Sequence, residues 1–286
     1  MDHHNIWLCS RPDYEFDGIE ASWQTHWKTN RGVWLEPAPH QGNKLVGALS
    51  AYLDLMGFAE GAWGMDMLKA TGVTLCVALS GFAAGAVFGC LSAAASFSSL
   101  RVLRALADGY TTILRGIPDL LVIYLFYFGS SAVLSQLGAL FGSEGFISAP
   151  VFLTGALAIG VVSGAYQAEV YRGAVLALSK GEIEAARAYG MPNHLLFRRI
   201  ILPQATRFAI PGVGNVWQLV LKESALISVV GLIELMRQAQ IGAGSTRKPF
   251  TFFLTAAVLY LLISFVSGVL FRIAEKRAMR GIRRAL

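Results

Sequence analysis

Few ionisable residues interrupt the apolar sequence of this chain, and those few are the ones able to do chemistry. Glu169 lies inside a run of small and aliphatic residues, with Gln167 just before it. A carboxylate inside an apolar run is costly unless it faces a cavity or a partner. Glu169 is therefore a candidate contact for a cationic solute, and Gln167 a weaker second. Arg172 stands one helical turn on and offers Glu169 a local ion pair as the competing role. Lys222 and Glu223 interrupt a later run. As neighbours they project about 100° apart on a helix, so they do not face each other. They are candidates for a translocation path or a contact with a second subunit, with snorkelling to an interface as the alternative. Arg115, Pro118 and Asp119 cluster in Arg-Gly-Ile-Pro-Asp. That cluster predicts a helix kink, serving either as a gate or as a shaped helix entry.

All of this is recognition chemistry, not bond-making. The chain has no H-E-x-x-H and no G-x-x-x-x-G-K-[ST], so it neither holds zinc nor splits ATP by those routes. Cys9, Cys76 and Cys90 show no metal-ligand or redox spacing. No cofactor is expected on the chain itself.

The elements that must carry these residues are membrane helices. Of 286 residues, 55% are hydrophobic and 15% charged, with a mean hydropathy of +0.53. A soluble domain of this length needs more charge to cover its surface. Recurrent runs of about 20 nearly uncharged residues predict an all-α integral membrane protein. The expected spans are 67–95, 110–140, 149–178, 205–232 and 250–274, five in all, with the fourth weakened by Lys222 and Glu223. Basic residues collect in three connections that five spans place on one side. These are 96–108 (Arg101, Arg104), 179–207 (Lys180, Arg187, Arg198, Arg199, Arg207) and the tail from Arg272 to Arg284. The positive-inside rule puts the amino terminus outside and the carboxyl terminus in the cytoplasm. The net charge of +6 is thus a membrane signature and not one of nucleic-acid binding.

Residues 1–56 form a polar extension containing Trp7, Trp23, Trp27 and Trp34 and no cleavable-signal pattern. It reads as a disordered segment or as a start assigned upstream of Met56, ahead of a membrane domain over 57–286. Residues 44–58 have a weak amphipathic pattern suited to a membrane face. Gly81, Gly85 and Gly89 line one face of the first span and predict close packing on a neighbouring helix.

The polar island between the third and fourth spans is the most specific feature. Residues 181–189 read as a helix with acid in its first turn, Gly190 as the residue that ends it, and Pro192 as a block to continuation. A second short helix over 193–201 is expected to stop at Pro203. Small Ala185 and Ala186 would let a partner surface approach, and Glu184 would direct a charge at it. The result is a rigid knob suited to transmitting force.

Taken whole, Glu184-Ala-Ala, then Gly190, then Ile200-x-Leu202-Pro203 resembles the EAA loop of ABC-importer permeases. Tyr110-Thr-Thr-Ile-Leu-Arg-Gly-Ile-Pro-Asp119, Ala165-Tyr-Gln-Ala-Glu-Val-Tyr-Arg-Gly173 and Lys222-Glu-Ser-Ala-Leu-Ile-Ser-Val-Val-Gly231 are similar to segments of the polar amino acid uptake branch. Within that branch the likeness is to the Q-type subunit of histidine/lysine/arginine/ornithine and octopine/nopaline permeases. The resemblance implies a type I importer fold in a bacterial inner membrane. It implies a second permease subunit, a periplasmic solute-binding protein, and ATPase subunits that carry the ATP and Mg. It also implies that Glu184, Ala185, Ala186, Gly190, Ile200, Leu202 and Pro203 couple to the ATPase. An ion-coupled secondary transporter and a membrane scaffold are the competing classes.

Overall fold

The computed structural model describes residues 41–58, 61–140, 145 and 147–279, and the tryptophan-rich segment lies outside them. Among the described residues every regular element is helical: α1 (Gln41–Met56), α2 (Gly64–Ser96), α3 (Arg101–Gly116), α4 (Asp119–Leu140), α5 (Val151–Leu176), α6 (Lys180–Ala188), α7 (Asn193–Leu196), α8 (Leu202–Glu223), α9 (Leu235–Thr246) and α10 (Pro249–Ala278). A π-helical segment, Phe197–Ile201, joins α7 to α8, and a 3-10 helix, Ser224–Val230, follows α8.

Among the described residues four helices, α2, α4, α5 and α10, are long and apolar enough to cross a membrane. Helix α5 is the axis of the bundle. Two-thirds of its most apolar window is buried (67%), against 17% for α4 and 6% for α10, whose outer faces are left for lipid or for another subunit. The fifth expected span is α8, which is less uniformly apolar because it carries Gln204, Arg207, Gln218, Lys222 and Glu223. Ala205, Ala209, Val216, Trp217 and Val220 are its buried stripe. Its α-helix stops at Glu223, so the expected span over 205–232 is an α-helix followed by the 3-10 helix and a left-handed Gly231 at φ 98°.

The glycine series of α2 packs inside the chain. A β-carbon on Gly85 would run into the Ser163 hydroxyl and Gln167, and one on Gly160 or Gly164 of α5 would meet Ala84 or Phe88. Backbone therefore lies against backbone along the α2–α5 seam, where dispersion replaces the missing side chains. Helix α8 is held to α10 by Gln218, whose amide donates to the Ser264 carbonyl and the Ser267 hydroxyl at 3.2 Å each.

Three apolar clusters follow one another along the bundle. Met67, Leu235, Ala239 and Phe252 close one end, with Trp63 edge-on to Phe252 at 5.4 Å. Val77, Ile159, Trp217, Val220 and Ile227 fill the centre. Ala174, Leu178, Ala205 and Ala209 close the end that carries α6. The compact unit runs from Ser50, and Tyr52 is tied into it by a 3.0 Å hydrogen bond with Thr255 of α10.

Two expectations need correcting. The second span does not begin at Tyr110: α3 already starts at Arg101 and ends at Gly116, and α4 starts afresh at Asp119. Ile117, extended at φ −97° and ψ 142° as a residue before proline prefers, breaks the helix outright instead of kinking it. Pro203 also fails to end a short helix. Residues 193–223 form one continuous rod, with every cap between α7 and α8 in the right-handed helical region. A proline lacks the N–H for its helical bond and crowds the carbonyl one turn back. The wider π-helical turn over Phe197–Ile201 absorbs both demands.

Candidate functional site

Two sites emerge, joined by the 193–223 rod. At one end of the rod, Glu223 is 4% exposed, and neither of its carboxylate oxygens has a hydrogen-bond partner of normal geometry. Its neighbour Lys222 is exposed, as their angular separation on a helix requires. The Asp119 carboxyl, at the first turn of α4, is close enough to couple to Glu223. Tyr166 of α5 lies within electrostatic reach of Asp119, Glu223 and Arg115, and the Arg115 guanidinium sits over its ring at 5.6 Å from the centroid. The broken helix makes this possible. With α3 ending at Gly116, Arg115 and Asp119 can both approach α5, which a straight helix could not arrange.

Beside this pair lies a polar cavity of about 770 Å³, lined by Asp108, Thr111, Thr112, Arg115, Gly116, Tyr166, Glu169 and Arg172. Glu169 is half-buried and pairs with Arg172 at 3.7 Å within its own helix. Gln167 is fully buried between α2 and α5. Its amide donates to the Phe82 carbonyl at 3.2 Å and its carbonyl accepts from the Tyr171 hydroxyl at 2.7 Å. Both its ends are used inside the fold.

At the other end of the rod is the knob. Helix α6 runs over Lys180–Ala188 and is closed by a Schellman arrangement. The Gly190 N–H donates to the Arg187 carbonyl at 2.9 Å and the Met191 N–H to the Ala186 carbonyl at 3.1 Å. Gly190 sits at φ 75°, where a side chain is strained, so the glycine is required. Ile183 packs on the apolar cluster of Ala174, Leu178 and Ala205, and the Gln204 amide donates to Glu182 at 2.5 Å. The knob therefore moves with the start of α8.

Of the residues expected to meet a partner, Glu184, Ala185, Gly190 and Pro203 are exposed, Ile200 is half-buried and Leu202 is 47% exposed. Ala186 is not available. It is 7% exposed and faces the chain's own interior, where its small size lets α6 lie close to the bundle. Tyr189, at 92% exposed, is the outstanding surface aromatic of the knob, and sequence reasoning did not single it out. A large aromatic just before the helix-ending glycine was the available signal. Tyr166 was missed as well, because nothing in its local sequence reveals that α3, α4 and α8 converge on it.

Comparison with known proteins agrees with this architecture. The family model of the binding-protein-dependent transport system inner membrane component matches residues 85–280. The octopine transport system permease protein of Rhizobium meliloti is 72% identical over 235 residues, covering 82% of this chain and 99% of that protein. The nopaline transport system permease protein of Agrobacterium fabrum is 50% identical, covering 81% and 98%. The histidine/lysine/arginine/ornithine permease protein of Escherichia coli is 36% identical, covering 77% and 96%. A crystal structure of an amino acid ABC transporter with histidines superposes with a TM-score of 0.65 at 29% identity, covering 80% of this chain and 97% of that one. The chain belongs to the family of binding-protein-dependent transport system inner membrane components, as a multi-pass ABC-importer permease of the polar amino acid type, a transport subunit rather than an enzyme.

Proposed function

We propose that this permease imports a basic amino acid or an arginine-derived opine across a bacterial inner membrane. The amino terminus lies outside and the carboxyl terminus in the cytoplasm. The observation that carries the reading is the Asp119–Glu223 pair, two carboxyls brought together with no base bonded to the buried one. Burying such a group without a partner is unfavourable, and a cationic solute would supply the missing charge. Arg115 and the Thr112 hydroxyl line the adjoining cavity and suit the carboxylate end of the same solute. Relatives named for octopine, nopaline and histidine/lysine/arginine/ornithine support that class, since each of these solutes presents a cationic group with a carboxylate.

The remaining parts divide the work. A separate ATPase binds ATP and Mg, and this chain receives its motion through Glu184, Ala185, Tyr189 and the Gly190 turn. Ile200, Leu202 and Pro203 lie on the rod next to that knob. A movement of the knob is carried about 45 Å along 193–223, by the rise of a helix, to Glu223. There it alters the spacing between Glu223 and Asp119 on the neighbouring α4, so the cation is gripped in one state and released in the other. A second permease subunit, of related sequence, would complete the pathway, and a periplasmic binding protein would deliver the solute. Glu169 and Lys222 are the secondary pathway residues.

The test is uptake of labelled octopine, arginine and histidine into vesicles reconstituted with the chain, its paired permease, the ATPase and the binding protein. Uptake should require ATP and persist without a proton gradient. Glu184→Lys and Gly190→Val should abolish it while the chain remains inserted. Transport that follows a proton gradient in the absence of ATP would overturn the reading.

A further inference from the structure

At the knob end of the bundle, α2, α5, the π-helical segment, α8 and α10 enclose a groove of about 490 Å³. Its walls include Phe97, Val175, Phe197, Leu202, Phe271 and Ala274. The polar groups along it are already used within the chain. The Tyr171 hydroxyl donates to Gln167 at 2.7 Å and the Thr206 hydroxyl to the Leu202 carbonyl at 2.7 Å. An amino acid or a nucleotide would find nothing to bond there, whereas an alkyl chain would lose no hydrogen bonds on entering. Exposed aliphatic residues adjoin its lining residues Cys90 and Phe271 in sequence. Leu91 of α2 is 64% exposed and Leu270 of α10 61%.

Charge identifies what is attached to the alkyl chain. Arg198 and Arg199 are exposed and follow Phe197 on the π-helical segment. Arg272, Lys276 and Arg277 are exposed and flank Phe271 and Ala274 on α10. Among the described residues none of these five bases is in an ion pair, and Glu275 is the one carboxylate in the two segments. Unpaired bases on the two segments that supply Phe197, Phe271 and Ala274 to an apolar groove in a membrane helix bundle match an anionic headgroup.

We propose that this groove is a site for an anionic phospholipid, with one acyl chain between α2 and α8 and the phosphate against the bases of the π-helical segment and the end of α10. The lipid fills the space behind the knob and so travels with the rod. Its occupancy sets how firmly α6 is backed when a cytosolic partner pushes on it.

Photolabelling tests this with the full-length chain in its assembled importer. The probe is phosphatidylglycerol carrying a diazirine in the acyl chain, in phosphatidylethanolamine vesicles. Label is expected on peptides containing Ala94, Phe197 and Ala274, competed by unlabelled phosphatidylglycerol and not by phosphatidylcholine. Ala94→Phe and Ala274→Phe place rings in the groove from exposed positions. Each should remove label there while leaving label on the outer face of α4. Arg198→Glu should weaken the phosphatidylglycerol preference by at least about fivefold, the effect of one base at a membrane surface. Equal competition by phosphatidylcholine, labelling no denser in the groove than on α4, or Cys90 crosslinks joining two copies of the chain through the groove would each overturn the proposal. The wild-type competition is decisive even if a substituted chain fails to insert.

Discussion

Two glutamates buried to nearly the same depth have opposite surroundings. Glu234 is fully buried and caps α9. Its oxygens accept from the Met236 and Arg237 N–H groups at 2.9 Å each, from the Tyr260 hydroxyl at 2.9 Å and from the Thr74 hydroxyl at 3.2 Å. Glu223 is 4% exposed and has none of this; its nearest electrostatic company is another carboxyl. Glu234 is a fastener that clamps α9 to α2 and α10, with both carboxylate oxygens hydrogen-bonded. Glu223 has no such set of donors, and it is there that the proposed solute contact would be made.

The contrast can be broken in graded ways. The largest effect is expected from Glu234→Ala, which strands the Met236 and Arg237 N–H groups and the Tyr260 hydroxyl, while Thr74 keeps its bond to the Ala70 carbonyl; it costs several kcal/mol, at about 1–3 for each unsatisfied group. Inserted, monodisperse protein should fall below detection, and normal yield would show that Glu234 is no fastener. Glu234→Gln turns an amide N–H₂ toward donors and should cost about 2 kcal/mol, read as a lowered thermal midpoint with transport intact at low temperature. Glu223→Gln should do the reverse. The midpoint holds or rises as the like-charge contact with Asp119 is relieved, while uptake of a cationic solute drops roughly a hundredfold, the loss of about 3 kcal/mol of charge-assisted bonding. If Glu223→Gln unfolds the chain, the two glutamates are alike after all. Asp119→Asn should lower uptake less, because Asp119 is half-buried and better solvated than Glu223. Glu169→Gln should be smallest, within about 0.5 kcal/mol in stability, because its pair with Arg172 is partly exposed and local.

Local grammar was readable in the sequence and tertiary arrangement was not. Gly190 after a short amphipathic helix and before Pro192 is a chain-terminating signal complete within a few residues, and the Schellman turn stands where the spacing puts it. The glycines of α2 were equally legible, since a repeat of small residues demands a close neighbour whatever its identity. Pro203 misled because the π-helical turn before it takes up the missing hydrogen bond and has no sequence signature of its own; Pro211 likewise stands inside α8 without ending it. Asp119 and Glu223 were each singled out, but for separate roles, since only the broken helix at Ile117 brings them together. Glu234 was invisible: its importance depends on Thr74, 160 positions away, and on Tyr260.

The α2–α5 seam carries a consequence for how the permease can move. Gly81 and Gly85 are notches filled by the Ile159, Ser163 and Gln167 side chains, and Gly160 and Gly164 by Ala84 and Phe88, so the two helices fit in one register. Sliding this pair would open a gap along its whole length at once. The two helices are therefore expected to move as one body, with any rearrangement taken up where α8 meets its neighbours through larger groups such as Phe82 and Trp217.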